Sequence, residues 1–387
     1  MNFEIPADIQ AELVRTRTLG RELFRPAGLE ADRQGGPLAT DHPLFRHMLA
    51  LGFGRTSWRP DGQAPHKRSA VAHVLVSEEL AYWDRGISIA MPGPGLGERP
   101  VLGMGTEEQK RRLLSPFLAP ERPRWGAFAM TEPSGGSDVA AIRTRATKVD
   151  GGWVLNGAKA FSGNAERADW TVVWATVDPG QGRRGHRAFV IEKGTPGMEG
   201  FRTESKMGLR SYESISFFLN QCRVPDENLL GGADYYEKAA GFKGAMDTFN
   251  SGRPAVGAMA VGMGRAALDE ALRLARASGA IALPRVADRL ERMQRRLKSA
   301  LLVALHAAWM ADQRMPNVPQ ASMAKALGPA AALEAAQLAM EIAGPAAAAG
   351  GSVIEKIFRD IKAMDIVEGT GQVQRMVIAR DLVQLPR

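Results

Sequence analysis

The sequence predicts an α+β fold in three zones: an N-terminal helical domain, a β-rich centre and a C-terminal helical bundle. Three observations carry this. Apolar residues recur every three or four positions near both ends of the chain, the helical period. Between about 124 and 235 the period drops to two, in short runs broken by turn residues. From about 236 the helical period returns, after a run stopped by Pro225. The expected domains are therefore residues 1–123, 124–235 and 236–387, and a chain of 387 residues is long enough for two or three.

In the first zone "SAVAHVLVSEELAYW" places Val71, Val74, Leu75, Leu80 and Ala81 on one helical stripe. "TEEQKRRLLSPFL" opens on Thr106 as an N-cap, with acids in its first turn. The stretch "MPGPGLGERP" reads as a connector between the two helices. In the second zone "RTRATKV" alternates, "DGG" turns and "WVLNGAKAF" returns, a hairpin signal. "WTVVWATV" and "RAFVIEK" read as buried strands, and "SISFFLNQCRV" as another that stops at Pro225. In the third zone Val286, Leu290, Met293, Leu297, Leu301, Leu305 and Trp309 keep the helical period. "GPAAALEAAQLAMEIAG" predicts a helix with Pro329 at its first position and Gly344 past its end. "SVIE" from Ser352 to Glu355 reads as a capping box opening the next helix.

Composition excludes several function classes. The net charge of +8 favours acidic partners, but the arginines are spread over helix faces such as "RLERMQRRLK". No zinc knuckle or RNA-recognition signature is present, so no nucleic-acid partner is expected. No apolar run reaches the roughly 18 residues of a membrane span, and no membrane role is expected. The single cysteine, Cys222, rules out an internal disulfide and reads as a buried, inert thiol. The six histidines show no HxxxH or HExxH spacing, so no metal site is expected, and His306 reads as a core or interface residue. Three acids in "MNFEIPADIQAEL" argue against a targeting signal, and "VQLPR" is no peroxisomal address, so a cytoplasmic location is expected.

Two stretches carry chemistry. "AMTEPSGGSD", Ala129 to Asp138, follows a strand and packs small polar residues, glycines and two acids into one turn. Such a turn suits a carbonyl-rich ring or a phosphate; it is equally a plain β-turn with a side-chain cap. "DIVEGTGQVQRM" sets Glu368 on a glycine corner between two helices, with Thr370 as N-cap of the second. A helix N-terminus favours negative charge nearby, and a carboxylate so placed can take a proton from a substrate. Read alone, Glu368 is also an ordinary loop acid. "GMGRAA" imitates a dinucleotide fingerprint, but no strand precedes it; its glycines are read as allowing close helix contact.

Taken in order, "AMTEPSGGSD", "LNGAKAFSGNA", "NSGRPAVGA" and "IVEGTGQVQR" resemble the acyl-CoA dehydrogenase family. The resemblance spans nearly the whole chain and is strongest from about 124 to 270 and from 320 onward. It implies a β-barrel-like central domain and a four-helix C-terminal bundle with FAD in the crevice between them. It implies that an acyl-CoA thioester stacks on the flavin. Glu368 then abstracts the α-proton while the β-hydrogen leaves as hydride to flavin N5. The thioester carbonyl is held by a flavin ribityl hydroxyl and the backbone N–H of the base. Another branch carries its base on the "NSGRP" helix, where this chain has Gly252.

The same resemblance assigns flavin contacts to Phe128, Met130, Thr131, Gly136, Ser137, Phe161, Ser162, Thr370 and Gln372. It places Ser137, Asn250, Arg253, Val367 and Gly369 beside the substrate. It implies an electron-transferring flavoprotein as acceptor, and a homo- or hetero-oligomer, dimer or tetramer. A carrier-protein-linked acyl dehydrogenase, or a flavin-free structural subunit of a heteromeric enzyme, are the alternatives. Fatty-acid or steroid side-chain metabolism is the implied setting.

Departures from the family pattern sharpen this. The family's Trp-x-Thr reads Phe161, Ser162, Gly163 here, so the hydroxyl that supports flavin N5 is missing, and Ser162 is its partial substitute. The Arg-x-x-Phe-Gly segment and downstream Gln that grip a neighbouring subunit's flavin are replaced by "SGAIALPRVADR". The family's Gln-x-x-Gly-Gly reads "EIAGP", with Glu341 and Pro345. The expectation is a heteromer, with a related dehydrogenase subunit supplying the lost grip, as in some bacterial steroid side-chain dehydrogenases. The segment "TSWRPDGQAPHKRS" replaces a Pro-Glu-x-x-Gly-Gly turn, and Val367 stands where an aromatic is common. Both point to an atypical acyl group.

Overall fold

The structure, a computed structural model, describes residues 4–62, 69–238, 241–348 and 350–385, with the side chains at 238, 241–251, 346 and 348 outside the description. Helices α1 (Ala7–Leu19), α2 (Arg25–Gln34), α3 (Pro43–Ala50), α4 (Ala70–Ala90), α5 (Glu98–Met104) and α6 (Glu107–Leu114) come first. Then follow strands β1 (Gly126–Ala129), β2 (Arg145–Val149), β3 (Gly152–Gly163), β4 (Trp170–Thr176), β5 (His186–Glu192), β6 (Met198–Thr203) and β7 (Ser214–Pro225). Helices α7 (Gly232–Lys238), α8 (Gly241–Ala277), α9 (Pro284–Asp312), α10 (Val318–Ala343), α11 (Pro345–Ala348), α12 (Val353–Ile366) and α13 (Gly371–Leu382) complete the chain. The α+β class read from the sequence is the one found.

The expected caps explain where helices begin. Ser69 caps α4 by accepting from Ala72 N, and Thr106 with Gln109 forms a full capping box on α6. Ser352 caps α12, but Glu355 pairs with Arg359 instead of reaching back, so the capping box expected there is only half made. The expected start of α10 at Pro329 is corrected: the helix begins at Val318, and Pro329 lies buried inside it. The adjoining Gly328 lies where α10 meets α8 most closely. A Cβ there would collide with Gly257 O of α8, and a Cβ at Gly257 would lie 2.5 Å from Ala324 O. The two helices touch backbone to backbone beside the proline. The stretch read as a connector, residues 91–100, runs into the first turn of α5.

The sheet runs in the order β1-β4-β2-β3-β7-β6, with β5 paired to β4. The expected hairpin is β2–β3, antiparallel from Arg145↔Asn156 to Val149↔Gly152. Strand β4 is buried throughout, as its unbroken apolar run requires. Strand β6 had no signal in the sequence, because most of its side chains face water and show no alternation. One apolar cluster joins the N-terminal helices to the sheet, and another fills the space between α8, α9, α10 and α12.

The glycines of "GMGRAA" serve close contact: Gly262 abuts Glu78 O of α4, and Gly264 lies against Ala332 of α10. Cys222 is fully buried, and burial pushes its thiol up to about 11. His306 does not lie in the core: it is exposed on α9 and stacks on Trp309, while Ala307, Ala308 and Met310 turn the buried face of the helix away from them. Among the described residues no helix is long and apolar enough to cross a membrane, and no three His, Cys, Asp or Glu side chains cluster to hold a metal.

Candidate active site

Glu368 occupies the corner between α12 and α13 in the left-handed region, with φ 55°, and Gly369 follows at φ 88°. A non-glycine residue there carries about 1–2 kcal/mol of strain, so something must hold it. Two braces do. Thr370 caps α13, its Oγ1 accepting from Val373 N at 3.3 Å. Gln374, fully buried, donates from Nε2 to the carbonyls of Gly369 (3.1 Å) and Glu368 (3.5 Å). Lys325 of α10, also fully buried, reaches the Asp365 carbonyl at the end of α12 (3.4 Å).

The carboxylate turns inward. Glu368 as a residue is half-buried, but its Oε2 is sealed from water and makes no hydrogen bond among the described residues. Burial raises its pKa above the ordinary value of 4.5, opposed by the charges of Arg99, Arg85, Lys325 and Arg253. Gly252 makes the room: a Cβ at that position would lie 2.5 Å from Glu368 Oε2 and 3.0 Å from Arg99 Nη1. A larger residue on α8 would drive the carboxylate out.

The sheet supplies the opposite wall. Strand β3 bulges against β7 between Lys159 and Ser162. The bulge throws Phe161 outward, 63% exposed with φ 56°, and buries Ser162, whose Oγ has no partner. At Gly163 the space for a side chain is taken by another residue: a Cβ there would overlap Oη and Cζ of Tyr212. Tyr212 lies in the loop between β6 and β7, and its charge environment includes Arg85 and Glu368. That loop is anchored beneath. Leu209 N donates to Asp360, and Ser211 Oγ meets Asp84, while Lys356 bridges Asp84 Oδ2 (2.7 Å) and Asp360 Oδ2 (2.5 Å).

The turn after β1 is fixed from below by a buried pair. Glu132 accepts from Arg143 N (2.7 Å), Thr144 N (2.9 Å) and Lys159 Nζ (2.8 Å), and Lys159 also reaches the Met130 carbonyl. With its lower half pinned, the turn presents an exposed Gly136 and Ser137 and a half-buried Thr131. The Met130 side chain is buried in the core, which leaves its main chain at the turn. Phe128 packs half-buried against the same cluster. Arg253 is buried with an unpartnered Nε, Val367 and Gln372 are exposed, and Asn250 lies outside the described side chains. The sequence reading missed Arg85, Arg99, Tyr212, Lys325 and Gln374. Only Tyr212 left a signal, the glycine at 163 where a hydroxyl was expected.

Residues 11–121, 127–222 and 239–383 match, in turn, the N-terminal, middle and C-terminal domains of acyl-CoA dehydrogenase. A short-chain-specific acyl-CoA dehydrogenase from Megasphaera elsdenii is 31% identical over 99% of this chain and 100% of its own length. The chain belongs to the acyl-CoA dehydrogenase family. Butyryl-CoA dehydrogenase from Megasphaera elsdenii shares the fold with a TM-score of 0.87 at 30% identity, covering 99% of this chain and 100% of that one. A chain solved in work on the electron transferring flavoprotein of Acidaminococcus fermentans gives 0.87 at 31% identity, with the same coverage. As a member of this family the chain is an oxidoreductase of acyl-CoA that uses FAD.

The residues present fit that cofactor. The Ser162 hydroxyl is an orphan that a ring heteroatom would satisfy, Phe161 is held out as an apolar face, and the Thr131–Ser137 turn offers open polar groups. The distal grip differs. Glu341 is ion-paired to Arg289 at 2.6 Å, and Arg296 to Glu334 at 2.9 Å. Glu341, which stands where the family carries the glutamine, is thereby paired with an arginine on the neighbouring helix.

Proposed function

We propose that this chain desaturates an acyl-CoA thioester at Cα–Cβ with Glu368 as the general base. The observation that carries this is the sealed, unpartnered Oε2 of Glu368 at a strained corner, amid four cationic side chains. FAD, when bound, accepts the β-hydrogen as hydride. Everything else falls to the chain. Glu368 removes the α-proton at its carboxylate, which a raised pKa equips to hold it. The Glu368 N–H is the donor for the thioester carbonyl, whose developing negative charge the surrounding cations favour. Arg99, then Arg85, Lys325 and Arg253, oppose the rise that burial imposes on the carboxylate and favour its ionised form. Gly252 leaves the carboxylate its room, and Val367 keeps one wall low. Thr131, Gly136, Ser137, Phe161, Ser162, Thr370 and Gln372 are the residues assigned to the flavin, with Phe128 and Met130 contributing from behind the turn.

An electron-transferring flavoprotein is the proposed acceptor, supported by the related chain from such work. The Arg289–Glu341 pair replaces a flavin grip, which supports assembly with a related subunit rather than four identical chains. The test is Glu368→Gln. The variant should retain its flavin absorbance yet reduce it at least about 1,000-fold more slowly on mixing with butyryl-CoA under anaerobic conditions. Reduction within a factor of a few of the wild-type rate rejects Glu368 as base.

A further inference from the structure

Arg85 is a guanidinium that no carboxylate touches among the described residues. Of its five N–H donors, one is used, Nη1 to the Ser88 hydroxyl at 3.2 Å. Its Nε is sealed from water with no acceptor, and it makes no ion pair among the described residues. The carboxylate beside it in the chain, Asp84, is committed elsewhere: to Lys356 at 2.7 Å and to the Ile87 N–H at 2.8 Å. The charge that acts most on Arg85 is Glu368, which must stay free to work as a base. Among the described residues no carboxylate is therefore in ion-pair contact with this arginine.

Tyr212 stands beside it. Burial pushes its phenol up to about 12, with Arg85 opposing, so the hydroxyl remains neutral and able to donate. It makes no hydrogen bond from that hydroxyl among the described residues, and it is wedged against Gly163. The wedge is fixed from behind, since Ser211 is tied to Asp84 and Leu209 to Asp360. The guanidinium and the phenol thus lie within each other's charge environment, beside Glu368, whose own surroundings also include Arg99, Arg253 and Lys325. Leaving a guanidinium desolvated and unpaired is costly. Its planar fork is matched by a second carboxylate bound in two-point fashion.

We propose that Arg85, with the Tyr212 hydroxyl, recognises a carboxylate carried on the acyl chain, so that the preferred substrates are dicarboxylyl-CoA thioesters. A plain alkyl tail leaves the arginine unpaired and buried, which selects against it. This rests on the reading of Glu368 as base, and it names the substrate class of that same site.

The experiment compares kcat/KM of the purified, flavin-loaded enzyme on succinyl-, glutaryl- and adipyl-CoA with that on butyryl- and hexanoyl-CoA, using a dye acceptor. The best dicarboxylyl substrate should exceed its monocarboxylyl counterpart at least about 10-fold, the scale of one hydrogen bond to a charged group. Arg85→Met should lower that ratio by about 10- to 100-fold. Arg85→Lys, which keeps the charge and loses the fork, should fall between, and Tyr212→Phe should lower the ratio several-fold. Melting temperatures show whether each variant is folded, and the lysine and phenylalanine variants carry the test if the methionine variant is not. Oxidation of butyryl-CoA with no gain for any dicarboxylyl thioester overturns this proposal alone. Equal slowing of both classes by Arg85→Met also overturns it, because the arginine would then act through Glu368. Failure to oxidise any thioester overturns the underlying reading, and this proposal with it.

Discussion

Gly163 and Tyr212 should behave as one unit, and a double-mutant cycle reads their coupling. A Cβ at 163 would overlap Tyr212 Oη and Cζ and lie 2.9 Å from Cε2. These are atoms of a rigid ring, so they cannot bend aside; the ring must swing or the strand must shift. Overpacking of this kind costs about 1–3 kcal/mol, so Gly163→Ala should destabilise by that amount. Tyr212→Ala removes the wedge and leaves a cavity, at about 2–4 kcal/mol for a large side chain that is only partly buried. In the double variant the new methyl enters the vacated space and the clash disappears. The pair should then cost about 1–3 kcal/mol less than the sum of the singles. Urea unfolding of the flavin-loaded protein, followed by tryptophan and flavin fluorescence, gives each value. Additivity within about 0.5 kcal/mol would mean that Tyr212 does not occupy the side-chain space of position 163, and the wall of the site described here would be wrong.

Two further outcomes follow from the charges. Burial raises the pKa of Glu368 above 4.5, and only its ionised form accepts a proton. The log kcat/KM profile should therefore lose activity as pH falls through a value above 4.5, and Arg99→Gln, by removing a charge that opposes the rise, should move that limb to higher pH. Lys356→Met leaves Asp84 and Asp360 buried without their shared cation. It should destabilise by about 3–5 kcal/mol, measured by thermal unfolding, whereas a surface pair such as Arg292–Asp288 should cost less than about 1 kcal/mol.

Much of this fold was legible because its signals are local. The hairpin at 145–163, the Thr106 cap and the period of α9 each depend on residues a few positions apart. Where a feature depends on residues distant in sequence, the reading failed. Pro329 looked like a helix start because nothing nearby says that Gly328 rests on Gly257. Strand β6 was invisible because it lies at the end of the sheet with its side chains in water. The site shows the same division. Glu368, Thr370 and the turn at 129–138 carry motifs. Arg85 and Arg99 are two among many scattered arginines, and only the fold brings them from α4 and α5 to a carboxylate nearly three hundred positions away. Tyr212 was half-announced by the glycine at 163, since a missing side chain in a packed site implies another that fills it.

Proton removal from the substrate's α-carbon by Glu368 is the central claim, and it can be watched without net oxidation. A 3-thia-acyl-CoA has no β-hydrogen to give up, so its only available step is exchange of α-hydrogen. Incubated with the flavin-loaded enzyme in D2O and followed by proton NMR, its α-CH2 signal should fade with wild-type protein and persist with Glu368→Gln. Exchange at the wild-type rate in that variant would contradict the account.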